Sequence, residues 1–205
     1  MNNNKTLVIA THNTAKFAEL KNLLTDSGFN LVSLTQLGIT HDVDETGTTF
    51  QENAILKAKT YASMTGHMVL ADDSGLEIDA LGGEPGIYSR RYAGDNATDD
   101  QKRAFILEKL KGVPAQDRTA RFTCVLALAD PAGNVHTFDG VREGLIGKQP
   151  ETPHIPDFPY CSIFVLPEFG KTITQLITMG QSCAKSHRVA AVKKLLSFLA
   201  QNQSF

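Results

Sequence analysis

A run of polar residues near the N-terminus has the composition of a phosphate-binding turn. Ala10-Thr-His-Asn-Thr-Ala-Lys16 follows a short apolar run and precedes apolar residues at helical spacing. Unpaired backbone N–H groups at a helix start attract anions, and Lys16 would add a positive charge beside Thr11 and Asn13. The alternative is an Asn13 N-cap with a solvated Lys16. The P-loop pattern GxxxxGK[ST] is absent here, which excludes a Walker site.

Two adjacent aspartates are the strongest candidates for metal chemistry. Asp72 and Asp73 follow an apolar run, and residues 76–80 then alternate as a half-buried strand does, so we predict that the pair stands at a strand end. Carboxylates placed there suit a magnesium ion shared with phosphates, and Asp44-Glu45 would supply a third acid. An Asx-type turn closed by its own backbone is the alternative.

Two further groups of residues offer recognition chemistry. Ser186-His187-Arg188 precedes a helix and presents donors suited to a purine carbonyl or a phosphate, although a simple helix cap is the alternative. Phe158 and Tyr160 lie in a proline-rich segment and would stack on a base, or else pack into the core or a lid.

Other kinds of hydrolase are disfavoured by the motifs that the sequence lacks. Neither GxSxG nor HExxH occurs, and Cys124 lies in an apolar run typical of a buried structural thiol. Three widely separated cysteines indicate neither a disulfide framework nor a zinc site. We therefore set covalent catalysis aside.

Composition favours a small diffusible ligand. The chain has 205 residues, 41% of them hydrophobic, and a formal net charge of -2, which gives no excess of cations for a nucleic acid polymer. No segment approaches ~20 consecutive apolar residues, and the first residues lack the features of a signal peptide. We expect no membrane partner and a cytoplasmic location.

The elements that position these residues mix α and β structure. We predict a strand over 6–10, a helix around Phe17 to Leu24, a strand around 31–34, and a helix from a capping box at Thr49 to about Thr65. A second capping box, Thr98 to Gln101, predicts another helix.

The second half predicts a hairpin, an irregular loop and a closing helix. Strands at 121–129 and 135–141 flank a turn-forming sequence, residues 148–159 contain four prolines, and Ser186 is a candidate N-cap for the last helix. Because no strict βαβα alternation is present, we predict a mixed sheet with helices packed around it.

The order of these motifs resembles the inosine triphosphate pyrophosphatase family, also called dITP/XTP pyrophosphatases, over nearly the whole chain. The resemblance rests on the turn described above, on a second motif from Glu45 to Ala58, and above all on Ala71-Asp-Asp-Ser-Gly-Leu-Glu-Ile-Asp-Ala-Leu-Gly-Gly-Glu-Pro-Gly-Ile-Tyr-Ser-Arg-Arg-Tyr-Ala-Gly94. A match of that length is specific.

The resemblance implies an α/β fold with an elongated central mixed sheet flanked by helices, and two lobes with the active cleft between them. It implies one nucleoside triphosphate pyrophosphatase domain over 1–205, usually a homodimer, that depends on magnesium. By position, Asp73 would be the general base and Glu45 and Asp73 the metal ligands. Substrate contacts would come from Thr11, His12, Asn13, Thr14, Ala15, Lys16, Ser74, Phe158, Tyr160, His187 and Arg188.

The second half departs from the family pattern where the base is recognised. Phe-Gly-Tyr-Asp-Pro-Ile-Phe is expected, whereas this chain has Phe158-Pro-Tyr-Cys-Ser-Ile-Phe164; Cys161 thus replaces an acid and Pro159 a glycine. Ser182 replaces an expected lysine, and Lys185 is a nearby cation. We predict magnesium-dependent hydrolysis of ITP, dITP and XTP to monophosphate and pyrophosphate. The alternatives are a changed substrate and a nucleotide-binding protein with little catalysis.

Overall fold

A computed structural model of the chain describes residues 5–181 and 186–202. Within them it forms seven strands and five α-helices. The strands are β1 (Thr6–Ala10), β2 (Asn30–Ser33), β3 (Met68–Ile78), β4 (Thr119–Ala129), β5 (Val135–Ile146), β6 (Phe164–Leu166) and β7 (Lys171–Thr172). The helices are α1 (Thr14–Leu23), α2 (Phe50–Thr65), α3 (Asp99–Lys109), α4 (Ile173–Thr178) and α5 (His187–Gln201).

The strands form a mixed sheet in the order β2-β1-β3-β4-β5-β6-β7. Strand β1 pairs in parallel with both β2 and β3, whereas β5 with β6 and β6 with β7 pair antiparallel. Strands β4 and β5 are neighbours joined by the short turn at residues 130–134. The predicted hairpin and mixed α/β sheet are therefore confirmed.

The chain divides into two compact units, each with its own hydrophobic core. Unit 1 comprises Met1–Asp73, Cys124–Gly140 and His187–Phe205, and unit 2 comprises Ser74–Thr123 and Val141–Ser186. The core of unit 1 contains Leu7, Ile9, Leu20, Leu24, Leu70, Cys124, Leu126, Leu128, Phe138, Ala191, Val192 and Leu195. That of unit 2 contains Leu76, Ile78, Ile106, Leu110, Ala120, Phe122, Ile146, Tyr160, Ile163, Phe164, Leu166 and Leu176.

Local capping chemistry sets the ends of the helices. Thr98 and Gln101 form the predicted reciprocal capping box at the start of α3. Thr49 caps α2 by accepting from the Glu52 N–H at 3.1 Å, and the Glu52 carboxylate accepts in turn from the Thr48 N–H at 2.7 Å. Helix α2 ends at Thr65 and is capped by Gly66, whose φ of 65° is readily adopted by glycine.

The predicted end of a strand at the acidic pair is wrong. Strand β3 runs without interruption through Asp72 and Asp73, but its pairing with β1 stops at Ala10 opposite Ala71. The acids therefore lie just beyond the end of β1, where the polar turn at residues 11–13 begins. The sequence predicts a strand end here because charged side chains are costly to bury. In the structure both carboxylates have cationic partners, and this allows them to remain buried inside a strand.

Among the described residues, none of the helices combines the length and apolar character needed to cross a membrane.

Candidate active site

The polar turn after β1 is organised by Asn13, the N-cap of α1. Its Oδ1 atom accepts from the Lys16 backbone N–H at 2.8 Å, while Thr11 Oγ1 accepts from the Asn13 N–H at 3.2 Å. The N-cap interpretation of Asn13 is thus confirmed. It is compatible with a phosphate site, because the N–H groups of Thr14 and Ala15 at the helix start have no intrahelical acceptor.

Lys16 is not the solvated lysine of the alternative interpretation. Its Nζ atom donates to Asp72 Oδ1 at 2.7 Å; the Lys16 side chain is 23% exposed and that of Asp72 is fully buried. The partner fixes the ammonium group beside the polar turn while leaving part of it accessible.

Asp72 is a buried hub of unit 1. Besides Lys16, its carboxylate accepts from Arg188 Nε at 2.7 Å and from Cys124 Sγ at 3.3 Å. Burial alone would raise the pKa of Asp72, but Arg188 and Lys16 outweigh it and hold that pKa well below its usual range. Since its oxygens serve these donors, Asp72 organises the site and is not our candidate metal ligand.

Arg188 connects this hub to helix α1. Its Nη1 atom donates to Glu19 Oε2 at 2.6 Å, and the side chain is only 2% exposed. Burial lowers the pKa of neighbouring His187 well below its usual range, with Arg188 acting in the same direction. Arg188 therefore has a defined structural position, and the direct substrate contacts of His187 and Arg188 stay predictions.

A buried lysine that sequence reasoning missed joins the two predicted metal ligands. Lys57 Nζ donates to Glu45 Oε1 at 3.0 Å, to Asp73 Oδ1 at 3.1 Å and to the Asp72 carbonyl at 2.9 Å. Burial acts to lower the pKa of Lys57, but the carboxylates of Asp73 and Glu45 outweigh it and raise that pKa. The available signal was a lysine on the buried, alanine-rich face of α2.

The two carboxylate oxygens of Asp73 differ in their hydrogen bonding. Oδ1 accepts from Lys57, whereas Oδ2 is buried and has no hydrogen-bond partner among the described residues. Burial raises the pKa of Asp73, as does the nearby Glu45 carboxylate, although Lys57 opposes both. A buried acceptor without a donor costs free energy, so its retention points to a ligand or a reacting proton at Oδ2.

The arrangement fits a magnesium ion. Glu45 and Asp73 converge on one cation, and Asp73 still has an unused oxygen. In the described part of the chain no group of three or more His, Cys, Asp or Glu side chains could hold a metal by itself. This is the donor set that magnesium uses when substrate phosphates and water supply its other ligands.

His12 contacts the loop that carries Glu45. The side chain is exposed and its Nε2 atom lies 3.1 Å from the His41 carbonyl oxygen. Tyr61 from α2 donates to the same carbonyl at 2.8 Å. His12 thus links the polar turn to the loop, and its predicted contact with substrate stays a prediction.

The remaining predicted site residues belong to unit 2 or fall outside the described residues. Ser74 follows Asp73 in β3 and is partly buried. Tyr160 is 4% exposed in the core and donates to the Ser89 carbonyl at 2.8 Å, so the packing alternative describes it, whereas Phe158 is partly exposed. Cys161 is partly buried. Ser182, Cys183 and Lys185 lie outside the described residues.

Known proteins of similar sequence show the family to which this chain belongs. The chain belongs to the Ham1 family, whose model matches residues 7–198. Its relatives include proteins named dITP/XTP pyrophosphatase, in agreement with the resemblance found in the sequence. The Bacillus subtilis protein is 43% identical over 95% of this chain and 97% of its own length, and the Shigella flexneri protein is 46% identical over 94% and 97%.

Solved structures show the same fold. The Ham1 protein of Staphylococcus aureus is 39% identical and superposes with a TM-score of 0.85, over 97% of this chain and 100% of that one. A HAM1 protein from Coxiella burnetii, also 39% identical, gives a TM-score of 0.86 over 96% and 99%.

Proposed function

We propose that this chain is a nucleoside triphosphate pyrophosphatase that hydrolyses the non-standard purine nucleotides ITP, dITP and XTP. The observation that carries the proposal is the convergence of Glu45 and Asp73 on Lys57, with Asp73 Oδ2 left without a partner. The relatives named dITP/XTP pyrophosphatase support the choice of substrate.

The phosphate chain binds at the start of α1. Thr14 and Ala15 supply backbone N–H groups at the positive end of the helix dipole, and Lys16 supplies a positive charge that Asp72 holds in place. This part of the site recognises charge and is indifferent to the base.

Asp73 acts as the general base. Its carboxylate takes the proton from a water molecule whose oxygen attacks the α-phosphorus. A new P–O bond forms, the bond from the α-phosphorus to the bridging oxygen breaks, and pyrophosphate leaves with the bonding electrons. The raised pKa of Asp73 brings its basicity closer to neutral pH, which favours proton abstraction.

Glu45 and Asp73 would hold a magnesium ion together with the substrate phosphates. Such an ion polarises phosphoryl oxygens and neutralises the charge that develops on pyrophosphate. The shared ammonium group of Lys57 keeps the two carboxylates close together before any ion arrives.

We also propose that the protein is a cytoplasmic homodimer and that its ligand is a small nucleotide. The resemblance to the family supports the homodimer, and the net charge of -2 supports a small ligand over a nucleic acid polymer. Light scattering on the purified protein tests the assembly, and a single-chain mass in solution would contradict it.

A pyrophosphate-release screen tests the function. We expect turnover of ITP, dITP and XTP that requires Mg²⁺ and yields the monophosphate, with weaker turnover of ATP, GTP and CTP. Release of inorganic phosphate in place of pyrophosphate would contradict the reaction. Tight nucleotide binding without turnover would instead favour a binding protein that has lost catalysis.

A further inference from the structure

Three polar side chains along one face of helix α2 are buried although each could ionise or hydrogen-bond. Asn53, Lys57 and Tyr61 are four residues apart and are 0%, 8% and 1% exposed. Residues at this spacing lie above one another on a helix surface. Such a row is costly to bury unless each member has a partner.

All three side chains contact the same irregular segment. Residues 39–48, called here the Glu45 segment, contain neither helix nor strand. Asn53 Oδ1 accepts from the Gly47 N–H at 2.8 Å, Lys57 Nζ donates to Glu45 at 3.0 Å, and Tyr61 Oη donates to the His41 carbonyl at 2.8 Å. Helix α2 therefore holds this segment on both sides of Glu45.

The contact at Gly47 is close enough to exclude a side chain. A Cβ atom placed on Gly47 would lie 2.7 Å from Asn53 Oδ1 and 2.7 Å from Glu52 Cβ. Such distances do not occur in a relaxed structure, so only glycine lets the segment approach α2 this closely.

We propose that Asn53 and Tyr61 are positioning residues that fix the Glu45 segment so that the Glu45 carboxylate stands beside Asp73. A segment without regular structure has few backbone bonds to set its course, and these two anchors flank the residue that must be placed. Holding Glu45 in advance removes an ordering cost from metal binding. This inference rests on the proposed role of Glu45 as a metal ligand.

Two substitutions test the anchors: Tyr61→Phe changes the helix at one anchor, and Gly47→Ala changes the segment at the other. The first removes one hydroxyl from the helix, together with its 3.4 Å contact with His12 Nε2, and the second forces the segment and α2 apart while leaving the sequence of the helix unchanged. Thr65→Val is the matched control, because it removes a hydroxyl from the same helix whose bond goes to the Tyr61 carbonyl and not to the segment. Thermal unfolding of each protein establishes that it is folded.

Two readouts that need no turnover are compared. Hydrogen exchange reports the opening of residues 39–48, and electron paramagnetic resonance measures Mn²⁺ affinity in the presence of the α,β-imido analogue of ITP. Losing one hydrogen bond is worth roughly 2- to 13-fold, so we expect Tyr61→Phe to raise exchange in 39–48 and weaken Mn²⁺ binding by about that factor. Gly47→Ala should do at least as much, and Thr65→Val should change neither.

Kinetics then separates positioning from general stability. In the two anchor variants the Mg²⁺ concentration for half-maximal rate should rise, while KM for the nucleotide at saturating Mg²⁺ stays within about twofold of wild type. Unchanged exchange in residues 39–48, or faster exchange with unaltered Mn²⁺ affinity, would overturn the proposal. If wild type released no pyrophosphate, the proposed function would fail, but the exchange and Mn²⁺ comparisons would still decide the positioning role.

Discussion

Lys16 Nζ lies 2.7 Å from Asp72 Oδ1, so the cation of the polar turn is held by a carboxylate that is itself fully buried. The ion pair thereby holds the Lys16 ammonium group in one position. The same carboxylate holds Arg188 from α5, which couples the turn to the packing of unit 1. This relationship separates the two neighbouring acids: Asp72 organises cations, and Asp73 is left for chemistry.

Replacing Lys16 by alanine should weaken triphosphate binding much more than nucleoside binding. A charge-assisted hydrogen bond is worth about 1.5–3 kcal/mol, or roughly one to two decades of affinity. Calorimetry with the α,β-imido analogue of ITP and with inosine measures both losses. Lys194→Ala, which removes an exposed cation paired with Asp139, is the control. Equal losses for the two ligands would move the phosphate site elsewhere.

Asp72→Asn should destabilise the fold strongly. The substitution leaves two cations facing a neutral amide in a buried site, and breaking a buried pair costs about 3–5 kcal/mol. Asp139→Asn removes an exposed acid from an ion pair and should cost less than about 1 kcal/mol. Urea unfolding at neutral pH compares the two, and a similar loss for both would contradict the hub role of Asp72.

Acid should remove the same stabilisation from the wild type. The folded pKa of Asp72 lies below its ordinary value of 3.8, so its contribution is fully present above that value and is lost as pH falls toward the folded pKa. Asp72→Asn should therefore show a shallower loss of unfolding free energy below about pH 5. Parallel pH profiles for the two proteins would contradict this.

Gly140→Ala should disturb the approach of α5 to strand β5. A Cβ atom at Gly140 would lie 2.0 Å from the His187 carbonyl oxygen, whereas at Gly147 the nearest atom would be 3.4 Å away. We expect Gly140→Ala to lower the free energy of unfolding by about 1–3 kcal/mol or more. Gly147→Ala, the matched control, should be tolerated. If denaturant unfolding showed Gly140→Ala to be tolerated equally well, α5 would be able to shift without cost.

Base discrimination should respond to the residues that depart from the family pattern. If Cys161 and Ser182 mark a relaxed base pocket, this protein should separate ITP from ATP less sharply than Cys161→Asp/Ser182→Lys does. Missing charged partners weaken the rejection of a wrong base. The ratio of kcat/KM for the two nucleotides, measured with and without Pro159→Gly, tests this. Strong discrimination in wild type that restoration leaves unchanged would place recognition in other residues.

Much of the fold could be predicted because local signals agree with the tertiary structure. Strand β1 was predicted with its observed bounds, and the caps at Thr49, Gly66 and Thr98 set helices where expected. The sequence predicts that a strand ends at the acidic pair because charged residues such as Asp72 and Asp73 are expected to be exposed, whereas β3 continues through both. The short elements β6, β7 and α4 lack enough residues to show a period.

The site was predicted less completely because it depends on contacts distant in sequence. Glu45, Asp73 and Lys16 were identified, but Lys57 and Tyr61 resemble ordinary helix residues until their partners are seen. The distinct roles of Asp72 and Asp73 follow from which cations face each carboxylate. A single sequence contains no record of those pairings.

The most direct test of the account is the rate of pyrophosphate release from ITP by wild type and Asp73→Asn at saturating Mg²⁺. Loss of the base should lower kcat by at least about 100-fold, with thermal unfolding showing an intact fold. Asp79→Asn, which removes an acid paired with Arg121, should stay within about twofold of wild type. If Asp73→Asn retained activity within a few-fold of wild type, Asp73 would not be the catalytic base and the central assignment would be wrong.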